Sequence, residues 1–239
     1  IQDFYLKELE RVSASSVIHY HANIHKALKY AVKLDLISSN PADKIERPKK
    51  ERFMANFYDA DEVNRLFEIS KGTKLEIPIL FGAFYGMRRS ETLGMKWDAI
   101  DFERDTITIR HTLTTVALDG KRITVAEDRT KNKSSMRTLP LVPFVKERLL
   151  ELKAEQEENR RLCGRSYVKD YTGYVCINEI GDIIKPNYVS CGFPKLLEEH
   201  GLRRVRYHDL RHSCASLLLA NGVPMKQIQE WLGHSDFST

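Results

Sequence analysis

Two histidines and an arginine recur at helical spacing in the stretch His208-Asp-Leu-Arg-His212. The apolar residues around them also follow helical spacing and predict one buried face: Leu210, Cys214, Leu217 and Leu218. His208, Arg211 and His212 fall with Ala215 on the opposite, narrower stripe, which we expect to face solvent. Positive or titratable groups held side by side attract an anion between them. The first chemistry that this spacing indicates is therefore anion binding.

Three interpretations of this stripe compete. His208 and Arg211 can form an exposed or internally satisfied pair, the ordinary outcome for an isolated H-x-x-R. A metal site fits the spacing of His208 and His212, but Asp209 stands where zinc proteases carry the longer Glu, and Arg211 would set a guanidinium beside the cation. A phosphate site requires further cations elsewhere in the chain.

Further cations stand at unusual local positions. Arg88 follows an apolar segment and a glycine turn, Lys131 lies at the predicted tip of a hairpin, and His234 follows the Gly233 that stops a short helix. Guanidiniums grip phosphate oxygens bidentately and stay charged at working pH, which suits displacement at phosphorus. Neither a magnesium-binding carboxylate cluster nor a G-x-x-x-x-G-K-[ST] loop accompanies them. The residues favour metal-free phosphoryl transfer on a phosphodiester.

Composition bounds the partners and the compartment. The 239 residues carry 38 Lys+Arg against 33 Asp+Glu, a net charge of +5, which permits a nucleic-acid partner. Four cysteines without a C-x-x-C pair fit reduced thiols in a cytoplasm, and no apolar run is long enough for a membrane span. Ile1 is neither an initiator Met nor the start of a signal peptide, and we interpret it as a cut.

The hydrophobic patterns predict a mainly helical chain with a small antiparallel sheet, an α+β fold. A long helix from Ser13 to Leu36 belongs to a helical piece, residues 1–46, that is too short to bury its apolar face alone. A basic, proline-containing linker covers residues 47–57, and a larger domain covers 58–239. Within it the apolar run Leu75–Tyr85 predicts a central buried helix. Other helices are expected over 58–70, 87–94, 143–161, 188–200 and 223–233.

Alternating residues predict the strands. Segments 107–111, 123–125 and 137–141 are expected in one sheet, with a turn at Asp119-Gly120 and a hairpin tip at 130–135. Residues 174–177 and 182–184 indicate a second short hairpin.

Four motifs, in this order, closely resemble the tyrosine recombinases, or phage-type integrases, in the form typical of conjugative transposons. They are Tyr85-Gly-Met-Arg-Arg-Ser-Glu-Thr-Leu-Gly94, Thr130-Lys-Asn-Lys-Ser-Ser-Met-Arg-Thr-Leu-Pro-Leu141, His208-Asp-Leu-Arg-His212 and Leu232-Gly-His-Ser235. The resemblance covers almost the whole chain. It implies a tyrosine-recombinase catalytic domain preceded by part of a helical core-binding domain.

The resemblance also implies roles for individual residues. The catalytic set is Arg88, Lys131, His208, Arg211 and His234, with Glu91 as a supporting acid. The DNA-contacting set is Lys49, Lys50, Arg52, Lys133, Arg137 and Arg206. In the family a tyrosine attacks the DNA phosphate to form a 3′-phosphotyrosine link, and the 5′-hydroxyl of a partner strand reverses it, so no cofactor, ATP or metal is required.

The resemblance places the attacking tyrosine roughly nine residues beyond His234, past Thr239. Tyr207 is the one tyrosine close to the motif, and we expect it to pack rather than attack. The implied partner is double-stranded DNA at the ends of a mobile element in a bacterial cytoplasm, bound by a dimer or tetramer, with an accessory excision factor as a further candidate. Two alternatives stay open: a type IB topoisomerase, which uses the same active-site set, and a non-catalytic DNA-binding protein on this scaffold.

Overall fold

The computed structural model describes residues 1–49, 56–119, 121–127 and 136–233. Residue contacts divide the chain into two compact units, Ile1–Met54 and Ala55–Thr239. The finer division into residues 1–46, 47–57 and 58–239 stays a prediction. Among the helices of the described ranges, none is both long and apolar enough to cross a membrane.

Helices outnumber strands along the described chain. The helices are α1 Gln2–Leu9, α2 Ala14–Lys33, α3 Ala60–Ser70, α4 Glu76–Phe84, α5 Arg89–Gly94, α6 Pro143–Cys163, α7 Pro186–Glu199, α8 Asp209–Ala220 and α9 Met225–Leu232. The strands are β1 Ile100–Asp101, β2 Thr106–Ile109, β3 Thr112–Leu118, β4 Lys121–Glu127 and β5 Arg137–Pro140. The predicted α+β fold is confirmed.

The smaller unit has a small core of its own. Ser13 caps the start of α2 by accepting from the backbone N–H of Ser16, as the run of serines indicates. Tyr5 and Val17 are buried, and the Tyr5 hydroxyl lies 3.2 Å from Nδ1 of His21. Phe4 stays 42% exposed, so within this unit α1 and α2 leave apolar surface uncovered.

Helix α4 lies at the centre of the larger unit. Its residues from Ile77 to Ala83 are all buried, as the apolar run predicts. Gly82 allows a close approach, because a Cβ at this position would lie 2.9 Å from the hydroxyl oxygen of Tyr207. That hydroxyl donates to the carbonyl oxygen of Pro78 at 2.5 Å. Tyr207 therefore packs in the core.

The strands form two sheets where the sequence predicts one. β1, β2 and β5 make an antiparallel sheet in which Ile107 pairs with Leu139, whereas β3 and β4 make a separate two-stranded sheet. The prediction that residues 123–125 share a sheet with 107–111 and 137–141 is wrong. The physical reason is a competing contact: β3 packs on α5, where a Cβ at Gly94 would lie only 2.6 Å from Cα of Thr112.

The second predicted hairpin is present as a tight turn with one antiparallel bridge, without two full strands. Residues 174–177 and 182–184 are joined by an isolated bridge between Ile177 and Ile183. The side-chain oxygen of Asn178 accepts from two backbone N–H groups of the turn, at 3.1 and 2.9 Å. The ladder does not extend away from the turn, because the backbone N–H of Val175 donates to the carbonyl oxygen of Met95 at 3.0 Å and Tyr174 pairs with Lys96.

The first described residues of the larger unit are hydrogen-bonded to α8. The backbone N–H of Tyr58 donates to Oγ of Ser213 at 2.9 Å, and Ser213 in turn donates to the carbonyl oxygen of Asp209 at 3.2 Å. The Tyr58 hydroxyl donates to the carbonyl oxygen of Arg203. Tyr58 thereby helps to fix the position of α8, the helix that carries the H-x-x-R motif, although Tyr58 is not part of that motif.

Candidate active site

Arg88 stands at the N-cap of α5, directly after the turn that ends α4. Gly86 makes this turn with a φ of 62°, and a Cβ there would lie 2.3 Å from Cδ2 of Leu232, so the position requires glycine. Glu91 Oε2 accepts from the backbone N–H of Arg88 at 3.0 Å, and its Oε1 accepts from Nη1 of Arg88 at 2.6 Å. The Glu91 side chain is 2% exposed and the Arg88 side chain 35%. Arg88 is thus oriented from inside and keeps a solvent-facing edge.

Arg211 lies inside the protein. It is 4% exposed, its Nη1 donates to the carbonyl oxygen of Gly86 at 2.6 Å, and its Nη2 donates to the carbonyl oxygen of Leu232 at 2.5 Å. The expectation that its stripe of α8 faces solvent is wrong for this residue, because the turn after α4 and the end of α9 cover it. On the predicted apolar face, Leu210 and Cys214 are buried, and Leu217 and Leu218 are half-buried.

Arg137, predicted to contact DNA, is also interior. It begins β5, and its side chain is 6% exposed. Nη2 donates to Oε2 of Glu91 at 3.1 Å, and Nε donates to the carbonyl oxygen of Trp231 at 2.6 Å. Its guanidinium is therefore held among interior partners and is not spread on the protein surface. The sequence predicts a surface contact for Arg137, whereas the structure places its side chain in the interior, on the Glu91 carboxylate that also holds Arg88.

The three guanidiniums converge on the last turn of α9. Each donates to one of three successive carbonyl oxygens: Arg137 to Trp231, Arg211 to Leu232 and Arg88 to Gly233, the last at 3.5 Å. Gly233 ends the helix in the left-handed conformation with φ 69°, as the sequence predicts. The end of a helix carries partial negative charge on such carbonyls. Backbone carbonyls are common to every residue type, so no sequence pattern signals this arrangement.

His208 is the N-cap of α8 and is exposed. Partial burial, and then the charge of Arg211, lower the pKa of His208 and favour its neutral imidazole. The ring of His212 lies edge-on to it, with centroids 6.0 Å apart. Arg206 is exposed and donates from Nη2 to Oδ1 of the buried Asp209 at 2.8 Å. Both His208 and Arg206 therefore lie at the surface where α8 begins.

Five predicted site residues lie outside the described ranges: Lys50, Arg52, Lys131, Lys133 and His234. Arg137 lies directly after Met136, where the described chain resumes, and Gly233 is the last described residue before His234. Lys49 is described and exposed in the smaller unit. Of the catalytic set, the structure brings Arg88, Arg211 and the supporting Glu91 together.

Positive charge prevails in the buried cluster. Arg88 and Arg137 donate to the carboxylate of Glu91, and the charge of Glu91 also acts on Arg211. Burial, and then the charge of Arg88, lower the pKa of Arg211 to about 9, which still leaves it charged at neutral pH. Burial raises the pKa of Glu91, but the charges of Arg137 and Arg88 outweigh burial and the pKa is lowered overall. The cluster can therefore bind and polarise an anion such as a phosphodiester.

Tyr85, at the start of the first motif, is buried, and so is Tyr207, directly before His208. Tyr85 donates its hydroxyl to the carbonyl oxygen of Pro140 at 3.1 Å, and its ring stacks on Trp231 with centroids 6.0 Å apart. Burial raises the pKa of Tyr85 to about 12 and also raises that of Tyr207. A buried phenol that donates to a carbonyl is a poor nucleophile. Within the described ranges no group of three or more His, Cys, Asp or Glu side chains is placed to hold a metal ion.

The chain is similar in sequence to tyrosine recombinases. A XerC-like tyrosine recombinase of Caldanaerobacter subterraneus is 30% identical over 251 residues, which cover 100% of this chain and 64% of that protein. The tyrosine recombinase XerC of Pediococcus pentosaceus is 28% identical, over 98% of this chain and 71% of the relative. The chain thus spans about two thirds of the length of these relatives.

Solved structures share the fold. The Tn1549 transposon integrase in complex with circular intermediate DNA has a TM-score of 0.79 at 18% identity, over 98% of this chain and 77% of that one. A lambda integrase tetramer bound to a Holliday junction has a TM-score of 0.68 at 16% identity, over 98% and 62%. The model of the phage integrase family matches residues 56–239, which include all the predicted catalytic residues. The chain belongs to the phage integrase family.

Proposed function

We propose that this chain carries the DNA-cutting core of a site-specific recombinase, which cuts and rejoins DNA at the ends of a mobile element through a 3′-phosphotyrosine intermediate. The observation that carries the proposal is the meeting of Arg88 and Arg211, from two different helices, beside the buried Glu91. Two adjacent guanidiniums suit the two non-bridging oxygens of one phosphodiester. DNA bound to the Tn1549 and lambda integrases supports double-stranded DNA as the partner.

The proposed chemistry needs no external energy source. The phenolate oxygen of a tyrosine bonds to phosphorus as the bond from phosphorus to the 5′-oxygen breaks, and Lys131 gives its proton to that oxygen. Arg88, Arg211 and the imidazole of His208 donate to the non-bridging oxygens, and His234 completes the set. Attack by the 5′-hydroxyl of another strand then releases the tyrosine. By the family's motif the tyrosine follows Thr239.

The proposed assembly is a dimer or tetramer on DNA, as the lambda integrase tetramer on a Holliday junction supports. Lys49, Lys50, Arg52, Lys133 and Arg206 would contact the DNA backbone. We further propose an accessory excision factor and the bacterial cytoplasm as the compartment.

The test is covalent trapping of the full-length protein on a nicked suicide substrate from the element's ends. We expect a protein–DNA band on a denaturing gel, insensitive to EDTA, and about a hundredfold or greater loss of rate in Arg88→Ala, because an oriented donor to the transition state is removed. Arg110→Ala, which breaks an exposed pair with Asp98, serves as the matched control. Normal trapping by Arg88→Ala, or loss of trapping in EDTA, would overturn the site assignment.

A further inference from the structure

Arg137 connects the parts of the cluster that come from different elements. It starts β5, where the chain returns from the predicted hairpin that carries Lys131, and it pairs in the sheet with Ile109 of β2. From this fixed backbone its guanidinium reaches Glu91 at 3.1 Å and the carbonyl oxygen of Trp231 at 2.6 Å. The resemblance assigns no catalytic role to this position, and its guanidinium already donates to two partners inside the cluster.

We propose that Arg137 is a positioning residue for strand cleavage, which holds Glu91 and the last turn of α9 so that Arg88 and Arg211 present their guanidiniums to the scissile phosphate. The inference rests on the proposed function, because it concerns the same phosphate.

The Glu91 carboxylate is shared between two arginines. Oε1 accepts from the side chain of Arg88 at 2.6 Å, while Oε2 accepts from Arg137 and from the backbone N–H of Arg88. Without Arg137 the buried carboxylate keeps Arg88 as its cationic partner in this cluster and draws it inwards. The edge of Arg88 that faces solvent then turns away from the phosphate.

The second link runs through α9. Arg137 holds the carbonyl oxygen of Trp231, and the next carbonyl, of Leu232, accepts from Nη2 of Arg211 at 2.5 Å. A shift of the last turn of α9 therefore moves the partner that orients Arg211. One side chain thus fixes the supports of both phosphate-binding arginines.

Geometry, rather than charge alone, carries this role. The planar guanidinium donates from Nη2 and Nε in two fixed directions at once, whereas a lysine ammonium is a point charge on a flexible stem. Arg137→Lys should therefore retain part of the function and Arg137→Met little of it, although Met keeps an apolar stem of similar length.

The first experiment measures single-turnover cleavage by the full-length protein at a temperature where every variant is folded by circular dichroism. We expect Arg137→Met to cleave about tenfold to a hundredfold more slowly, since misplacement of a catalytic group by about 1 Å has costs of this order, with unchanged affinity for DNA. Arg148→Met is the control, because Arg148 is a half-buried arginine that likewise pairs with carboxylates, Glu76 at 2.7 Å and Glu155 at 2.9 Å, outside the cluster. It should lower the melting temperature and leave the cleavage rate unchanged.

A double-mutant comparison separates positioning from general destabilisation. If Arg137 acts through Arg88, the cleavage penalty of Arg137→Met must shrink in an Arg88→Ala background. An undiminished penalty there, or a normal rate in Arg137→Met alone, overturns the inference. If the unchanged protein forms no covalent adduct at all, the proposed function fails instead.

Hydrogen exchange on the 239-residue chain tests the link to α9 without any catalysis. Arg137→Met should speed exchange of the amides in the last turn of α9, residues 229–233, while Arg148→Met should not. Unchanged protection of this turn in Arg137→Met would contradict the inference whatever the cleavage assay shows.

Discussion

Tyr207 precedes His208 in the chain, yet its hydroxyl points into the core, 2.5 Å from the carbonyl oxygen of Pro78 and 3.3 Å from Oγ1 of Thr92. Tyr207→Phe should lower the free energy of unfolding by about 1–2 kcal/mol, because the buried carbonyl loses its donor. Urea denaturation of the 239-residue chain measures this decrease. Covalent trapping by the full-length protein should persist, and its disappearance would make Tyr207 the nucleophile.

The protonation of His208 offers a direct view of the phosphate site. Its pKa is lowered from 6.5 by partial burial and by Arg211, so in the absence of DNA the imidazole should lose its proton below pH 6.5. An arriving phosphodiester brings negative charge, which favours the protonated form and should raise the pKa. NMR titration of labelled histidine, assigned with His208→Gln, measures both values. A midpoint that falls on binding duplex DNA would place the phosphate elsewhere.

The end of α9 and the turn after α4 fit together through Gly86. A Cβ at Gly86 would meet Cδ2 of Leu232 at 2.3 Å and Sγ of Cys214 at 3.3 Å, and φ there is 62°. Gly86→Ala should therefore lower the free energy of unfolding by about 1–3 kcal/mol, from backbone strain and overpacking together.

Relief of the clash gives a sharper check of this packing. Leu232→Ala removes the atom that the new Cβ meets, so in a Gly86→Ala background it should cost less free energy of unfolding than it does alone. A double-mutant cycle by urea denaturation measures the coupling. Additive effects would show that α9 does not press on this turn. The matched control is Gly201→Ala, whose φ is 65° and whose Cβ would meet nothing within 4 Å, so it reports the backbone strain alone.

DNA binding by the whole molecule should weaken steeply as salt rises, because each lysine or arginine that contacts a phosphate releases a counterion. Replacing Lys49, Lys50 and Arg52 by Ala together should reduce the slope of log affinity against log salt by roughly one for each phosphate that these side chains neutralise. Fluorescence anisotropy with a labelled duplex measures it. Arg161→Ala is the control, because Arg161 is exposed on α6 and paired with Glu158. An unchanged slope in the triple variant would remove the linker from the DNA interface.

Local rules account for much of what the sequence predicts correctly. Periodicity reaches only a few residues along the chain, and it is enough for α4, whose apolar run leaves no polar face, and for α9, which Gly233 ends. The same rules fail for the sheets. Residues 123–125 and 137–141 both alternate, and alternation does not say which partner a strand finds. Packing of β3 on α5 through Gly94 makes that choice.

The sequence alone determined most of the helices, α1 excepted, and the kinds of residue in the site: two motif arginines, a histidine and an acid in family order. Only the tertiary structure decided which cations are buried and what they hold. Arg137 reaches Glu91 and Trp231 across 46 and 94 residues of chain, and Arg211 reaches Gly86 across 125. Burial depends on elements that arrive from such distances, and a backbone carbonyl carries no residue-specific signal. For this reason Arg137 resembles a surface cation in the sequence and is an interior support in the folded protein.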